Sequence, residues 1–425
     1  MHVHLDYGTD GLPLDVPDGT VVVAPRHVAA LPDPAAALAR ALASPTAGPP
    51  LASLVRGGQR VAISVCDITR AQPRQAMVEA ILAALPETRP ADVTILIATG
   101  THRANTHDEL VRMLGAELVA QCRVVNHDAR NEATLVSCGT TASGVPIWLN
   151  RHWVEAEARI TTGFVEPHFF AGFSGGPKMV APGLAGLATT LVLHDARHIG
   201  HPAAVWGITE GNPVHDDVRA IAAATGVTFA LDVALNRDQA IAQVFAGALL
   251  DEHAAACRWV TASAMCPVDG LFDVVVTTNS GYPLDQNLYQ AVKGMSAAAC
   301  IVKPGGTILC AAECRDGIPD HGPYGRLLAQ RRSPAELLAM VEAPGFAEQD
   351  AWQVQVQALI QRRARVLVKA GGLSDAQLRA AHFEPVGDLS GAVGEALAQA
   401  GPDARLAVLP HGPQTIPYVV DAARS

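Results

Sequence analysis

A histidine, a glycine-rich turn and a lysine fall within 16 residues in GFVEPHFFAGFSGGPK, from Gly163 to Lys178. His168 could move a proton near neutral pH, and backbone amides around Ser174, Gly175 and Gly176 could cradle an anion. Lys178 could bind that anion or serve as a covalent attachment point; a solvated surface lysine is the plainer reading. The stretch is not a P-loop, because Pro177 separates Gly176 from Lys178 and Met179 stands where that motif needs Ser or Thr. His194, in Leu193-His194-Asp195, has metal-ligand character if another group in the site also holds the metal.

Three further constellations sit at or just after expected strand ends, where ligands bind in open α/β sheets. In Asp67-Ile68-Thr69-Arg70, after VAISV, Arg70 could clamp a carboxylate bidentately and Asp67 could accept from a ligand hydroxyl. A structural turn with a local ion pair fits as well. In Ala98-Thr99-Gly100-Thr101-His102-Arg103, Gly100 allows close approach and His102 suits a general base, with a satisfied structural histidine as the alternative. The run from Gly281 to Gly294, GYPLDQNLYQAVKG, places Tyr289 and Gln290 one helical turn before Lys293, with Asp285 able to cap. Its density of Tyr, Gln and Lys favours a ligand over an ordinary amphipathic start.

The elements that must position these groups alternate between β-branched runs and Ala- and Leu-rich helical stretches, the pattern of βαβ units and parallel sheets. Expected strands are 21–24, 61–65, 93–98, 147–150, 160–162, 228–233, 274–277, 307–311 and 406–409. Expected helices include 74–85, 108–114, 214–224, 249–262, 288–299, 334–341 and 390–400. The fold class is α/β. The pattern restarts at Leu271-Phe272-Asp273-Val274, so the sequence predicts two α/β domains with mainly parallel sheets, 1–270 and 271–425, and an active-site cleft between them. The last 20 or so residues could pack back on the N-terminal domain.

At 425 residues the chain can bury more than one core, and 49% hydrophobic with 17% charged residues is the composition of a compact protein. A net charge of −10 without Lys/Arg clusters argues against nucleic acid, and no apolar run reaches the roughly 18 residues of a membrane span. Small molecules are the expected partners. The opening MHVHLDYGTD lacks a signal peptide's basic and apolar regions, and eight scattered cysteines without a CxxC pair read as reduced thiols of a cytoplasmic protein. Cys310 and Cys314 could bind metal; buried thiols are the simpler reading. A nicotinamide-dependent dehydrogenase would need a G-x-G-x-x-G after an early strand, and none is present.

Taken in order, DITR, ATGTHR, EPHFFAGFSGGPK, His194, GNPVHDD (211–217) and YPLDQNLYQAVKGM resemble the nickel-pincer lactate racemase family over most of the chain. The resemblance implies a racemase or epimerase of a 2-hydroxy acid. It also implies a pyridinium mononucleotide with two thio-acid arms that grips Ni(II), held covalently by Lys178, with His194 as the fourth metal ligand, a donor set that suits square-planar nickel. Asp67 and Thr69 would lie against this cofactor. Arg70, Gln290 and Lys293 would hold the substrate carboxylate and polar cofactor atoms, with Tyr289 also binding substrate; Trp352 resembles a family position near the site, and a tryptophan there could equally be core.

His102 and His168 would be the acid/base pair. One takes the hydroxyl proton while hydride leaves C2 for the electron-poor ring, and return of hydride to the other face of a planar 2-keto acid inverts the centre. Maturation enzymes would have to build the cofactor. Two departures bear on substrate: Ala71 follows DITR where the resemblance implies proline, and Leu193 precedes His194 where it implies asparagine. The rival reading is a non-catalytic carrier of the same cofactor, which would need Lys178 and His194 but has no use for two bases.

Overall fold

The structure, a computed structural model, describes residues 1–320 and 322–420. The chain folds into two compact units. The first comprises His27–His194 and Pro202–Ser263; the second comprises Met1–Arg26, Asp195–His201 and the chain from Ala264. The sequence boundary at 270 differs from this division in three places, since residues 1–26, 195–201 and 264–270 fall in the second unit. Val21–Val22, expected in the N-terminal domain, pairs in parallel with Leu406–Leu409 as the edge of the second unit's sheet. Met265–Val268, expected before the boundary, pairs in parallel with Ile416–Val419.

In the first unit six strands run in the order Ile241–Gly247, Phe229–Leu235, Ala158–Phe164, Val61–Cys66, Val93–Ala98 and Arg123–Asn126. All pairings are parallel except that of Ile241–Gly247, which is antiparallel to its neighbour. Val61–Cys66 is buried along its whole length, as a parallel strand covered on both faces must be. Alternate side chains feed two cores. Ile63 and Val65 pack with Met77, Ile81, Ile95 and Leu231 on one face, whereas Ala62 packs with Leu96, Val180, Leu184 and Ile221 on the other.

Strand order sets where a ligand can enter. From Val61–Cys66 the chain winds outward through Val93–Ala98 to Arg123–Asn126, then returns to Ala158–Phe164 on the opposite side. The winding direction therefore reverses between Val61–Cys66 and Ala158–Phe164, and the crevice of such a sheet opens at the carboxyl ends of those two strands. Asp67 follows the first of them, and the EPHFFAGFSGGPK stretch follows the second.

The second unit repeats the principle, with the order Glu384–Pro385, Arg365–Lys369, Val302–Ala311, Phe272–Thr278, Leu406–Leu409 and Val21–Val22, all parallel. Its reversal lies between Phe272–Thr278 and Leu406–Leu409. The Leu288–Ala299 helix follows the first of these. One expected strand has another role: Pro146–Asn150 forms an antiparallel hairpin with Leu135–Thr140 outside the main sheet. Among the described residues no helix is long and apolar enough to cross a membrane.

Candidate active site

Asp67 and His102 leave adjacent parallel strands whose last residues, Cys66 and Ala98, are paired in register. That brings the buried Asp67 carboxylate to 2.7 Å from Nδ1 of the half-exposed His102. Burial alone would raise the Asp67 carboxyl. The hydrogen bond and charge of His102, the Thr69 hydroxyl 2.6 Å from Oδ1 and the nearby Arg70 charge outweigh burial and hold it below the ordinary 3.8. A carboxylate on Nδ1 fixes the proton there and leaves the Nε2 lone pair as the acceptor, the arrangement of a general base with its orienting acid. Gly100 makes the turn possible, with φ at +54° and its N–H donating to Gly183 O at 3.0 Å.

Sequence reading placed Asp67 against a ligand and missed the residue that shapes its loop. Arg74 is buried at the N-terminus of the Arg74–Ala84 helix, where the helix dipole disfavours a cation. Its guanidinium instead folds back to donate to Cys66 O at 2.7 Å, Gln72 O at 3.1 Å, Arg70 O at 2.5 Å and Asp67 O. Gln72 braces the same loop by accepting from Cys66 N at 2.7 Å and donating to Thr162 Oγ1 at 2.8 Å. Held this way, Arg70 is exposed, and its own guanidinium makes no hydrogen bond to a described residue.

Phe170 gathers three of the predicted site residues. Its ring meets His168 edge-on at 4.5 Å between centroids and His194 edge-on at 5.1 Å, while Lys178 Nζ sits 5.7 Å from its centroid. His168 also stacks on Phe169 at 4.9 Å. The Ala171 N–H donates to His168 Nδ1 at 3.3 Å, which assigns the ring proton to Nε2. His194 has the opposite form: its Nδ1–H donates to Thr190 O at 2.8 Å, so the lone pair lies at Nε2, the form a metal-binding imidazole takes. Leu193, the unexpected neighbour, is fully buried in the core on one face of the sheet and takes no part in the site.

The glycine turn differs from expectation. Ser174 N donates to Glu166 O at 2.9 Å and Gly176 N donates to Asp232 Oδ2 at 2.6 Å, so two of the three amides expected to cradle an anion are already used inside the protein. Ser174 Oγ donates to Phe164 O at 2.9 Å and accepts from Glu166 N at 3.0 Å. These residues therefore shape the turn at Gly176–Met179 that carries Lys178. Beneath it, burial drives His253 down to about 4 and His215 to about 3, leaving both neutral at pH 7.

In the second unit the Leu288–Ala299 helix starts where the sequence predicts, but its cap is Asn287, whose side chain accepts from Gln290 N at 3.0 Å. Asp285 does not cap; its Oδ2 accepts from Gly8 N at 2.8 Å and Glu313 N at 2.9 Å. Tyr289 and Trp352 come together, with Trp352 Nε1 donating to Tyr289 Oη at 3.1 Å. Gln353 Nε2 donates to Tyr289 O at 2.6 Å and fixes the same residue from the backbone side. Gln290 and Lys293 are half-buried on this helix. Among the described residues no three His, Cys, Asp or Glu side chains gather as a metal site, and burial pushes the Cys314 thiol up to about 12.

Two doubly wound units with titratable groups at the carboxyl ends of their strands define an α/β enzyme of the open-sheet class. The chain belongs to the lactate racemase family. Residues 7–207 match the lactate racemase N-terminal domain and residues 269–416 the lactate racemase C-terminal domain. A lactate racemase of Thermoanaerobacterium thermosaccharolyticum is 33% identical over 422 residues, covering 98% of this chain and 99% of its own. A lactate racemase of Lactiplantibacillus plantarum is 35% identical over 376 residues, 88% of each chain. The solved lactate racemase apoprotein from T. thermosaccharolyticum superposes with a TM-score of 0.91 at 31% identity over 99% of this chain and all of that one. A Thermotoga maritima protein at 16% identity and a TM-score of 0.66 shares the fold. Membership makes the chain a racemase, hence an isomerase.

Proposed function

We propose that this chain racemises or epimerises a 2-hydroxy acid, lactate or a close relative, with a nickel-pincer nucleotide joined to Lys178 and its nickel bound by His194. The side chains suit such a group. The Lys178 amine and the His194 imidazole flank one Phe170 ring, and His194 already has its proton on Nδ1. A single imidazole cannot hold nickel alone, so the remaining donors would come from the nucleotide's sulfur and carbon atoms. Bound there, the nucleotide would supply an electron-poor ring that accepts and returns hydride.

The chain's own residues supply the rest. His102 Nε2 accepts the hydroxyl proton of one enantiomer, and Asp67 stabilises the imidazolium that results. His168 holds a ring proton as a donor towards the substrate oxygen, and the two histidines exchange roles for the other enantiomer. Arg70 takes the substrate carboxylate, and Gln290 and Lys293 bind remaining polar atoms of substrate or nucleotide. Tyr289 and Trp352, already joined by a hydrogen bond, take part in binding the substrate. The observation that carries this reading is the Asp67–His102 pair at 2.7 Å, a proton-accepting device that a passive carrier does not require. The test is to incubate protein made with cofactor maturation enzymes with single enantiomers of lactate and larger 2-hydroxy acids, followed by chiral chromatography. Racemisation of at least one is the expected result. A loaded protein that racemises none would leave the carrier reading standing.

A further inference from the structure

Two acids outside the machinery described above are sealed beneath the Lys178 turn. Asp232, on the Phe229–Leu235 strand, and Glu252, on the Leu249–Ala264 helix, are each 0% exposed. Neither has an ion pair with any described residue. Asp232 Oδ2 accepts the Gly176 N–H at 2.6 Å and the Gly163 N–H lies near the same carboxyl, but neither Asp232 Oδ1 nor either Glu252 oxygen completes a hydrogen bond with a described residue.

The space around Asp232 is shaped for a carboxyl group. A Cβ on Gly163 would come 2.8 Å from Oδ1 and one on Gly175 2.9 Å from Oδ2, so a side chain at either position would collide with it. The Glu252 helix is tied to the same turn through His253, whose Nε2 lies 2.8 Å from Ser174 O. Two buried carboxylates without a cation repel each other and lose their hydration, and sharing one proton removes both penalties.

We propose that Asp232 and Glu252 act as a proton-sharing pair that positions the Lys178 turn: Glu252 stays protonated and donates to Asp232 Oδ1, leaving Oδ2 charged to hold the Gly176 N–H. The positioning role rests on Lys178 being the attachment site; the shared proton does not. Burial raises both acids, Asp232 to about 7, and the Asp232 charge raises Glu252 further. Other titratable groups around the pair are His253 and Cys257 on the Glu252 helix, Cys66 on the Val61–Cys66 strand and His215 stacked on His253. The Lys178 and Arg219 charges reach the two histidines, and Arg258 reaches Cys257.

The test uses full-length protein without cofactor and compares wild type with Glu252→Gln, which keeps a donor but cannot ionise. Infrared difference spectra at pH 7 should show the C=O band of a protonated carboxyl in wild type that is absent from Glu252→Gln. Because the folded-state value is raised, the stability Glu252 contributes is present below 4.5 and is lost as pH rises through that folded value. The Tm of wild type should therefore fall relative to Glu252→Gln as pH rises above 4.5. A difference spectrum showing only the loss of a carboxylate band, or a Tm gap independent of pH, would overturn the proposal. On protein made with maturation enzymes, Glu252→Gln should load Lys178 as wild type does, whereas Asp232→Ala should load it at least tenfold less. A loaded wild type without the protonated band refutes the pair alone; an unloaded wild type that shows the band refutes the attachment reading and leaves the pair intact.

Discussion

Asp67 Oδ2 and His102 Nδ1 lie 2.7 Å apart because two parallel strands in register end side by side, one delivering an acid and the other a histidine after a glycine turn. The carboxylate orients the ring through this hydrogen bond, so the pair behaves as one unit. Replacing Asp67 with Asn keeps the shape and removes the charge. Turnover should fall roughly 100- to 10,000-fold while substrate binding changes little. The Asp67 value is depressed, so its contribution to stability is present above 3.8 and fades as pH falls below it. Thermal unfolding should show wild type more stable than Asp67→Asn at neutral pH, with the gap closing in acid.

Arg74 gathers four backbone carbonyls of the loop that carries Asp67 and Arg70. An ammonium cannot reach four acceptors in that fork, so Arg74→Lys should destabilise the protein by roughly 2–4 kcal/mol in urea unfolding. Turnover should drop as well, since the loop that aims Asp67 would loosen. A variant with unchanged unfolding would remove Arg74 from this bracing role.

Arg70 is exposed and its guanidinium has no hydrogen bond to a described residue, and in the proposed function it takes the substrate carboxylate. Arg70→Lys should raise KM roughly tenfold or more through loss of the bidentate fork, with little change in Tm. Steady-state kinetics on loaded protein measures this directly.

His194 donates to Thr190 O through Nδ1 and keeps its other nitrogen as the lone-pair side. His194→Ala should abolish racemisation and lower nickel content, measured by plasma mass spectrometry. The modification of Lys178 should remain, because attachment and metal ligation use different side chains.

Much of this arrangement was legible in the sequence where local pattern and tertiary role agree. The strands Val93–Ala98 and Leu406–Leu409 and the helices Leu288–Ala299 and Pro334–Val341 fall where the periodicity places them. The helix Ala351–Arg363 is a different case. Its alternation of Gln and Val imitates a strand, yet Trp352, Gln353, Gln355 and Gln357 are all buried. Their amides find partners far along the chain: Gln355 Nε2 donates to Ala196 O at 2.8 Å and Gln357 Nε2 to Ala381 O at 2.8 Å. No local pattern reports such contacts. Val21–Val22 was likewise visible as a strand but not as part of the second sheet, because pairing with Leu406–Leu409 is set by topology. At the site, the chemistry-bearing side chains stood out by type and spacing. Their supports, Arg74, Gln72, Phe170 and Asp232, did not, because each acts through a backbone group or a neighbouring ring.

Lys178 carries the central claim, and the intact mass of the protein made alongside cofactor maturation enzymes tests it most directly. The account predicts an adduct that peptide mapping places on Lys178, accompanied by nickel, and its disappearance in Lys178→Arg, which keeps the cation beside Phe170 but cannot form the same linkage. An unmodified chain, in cells where a lactate racemase control is loaded, would contradict it, as would an adduct that persists in Lys178→Arg.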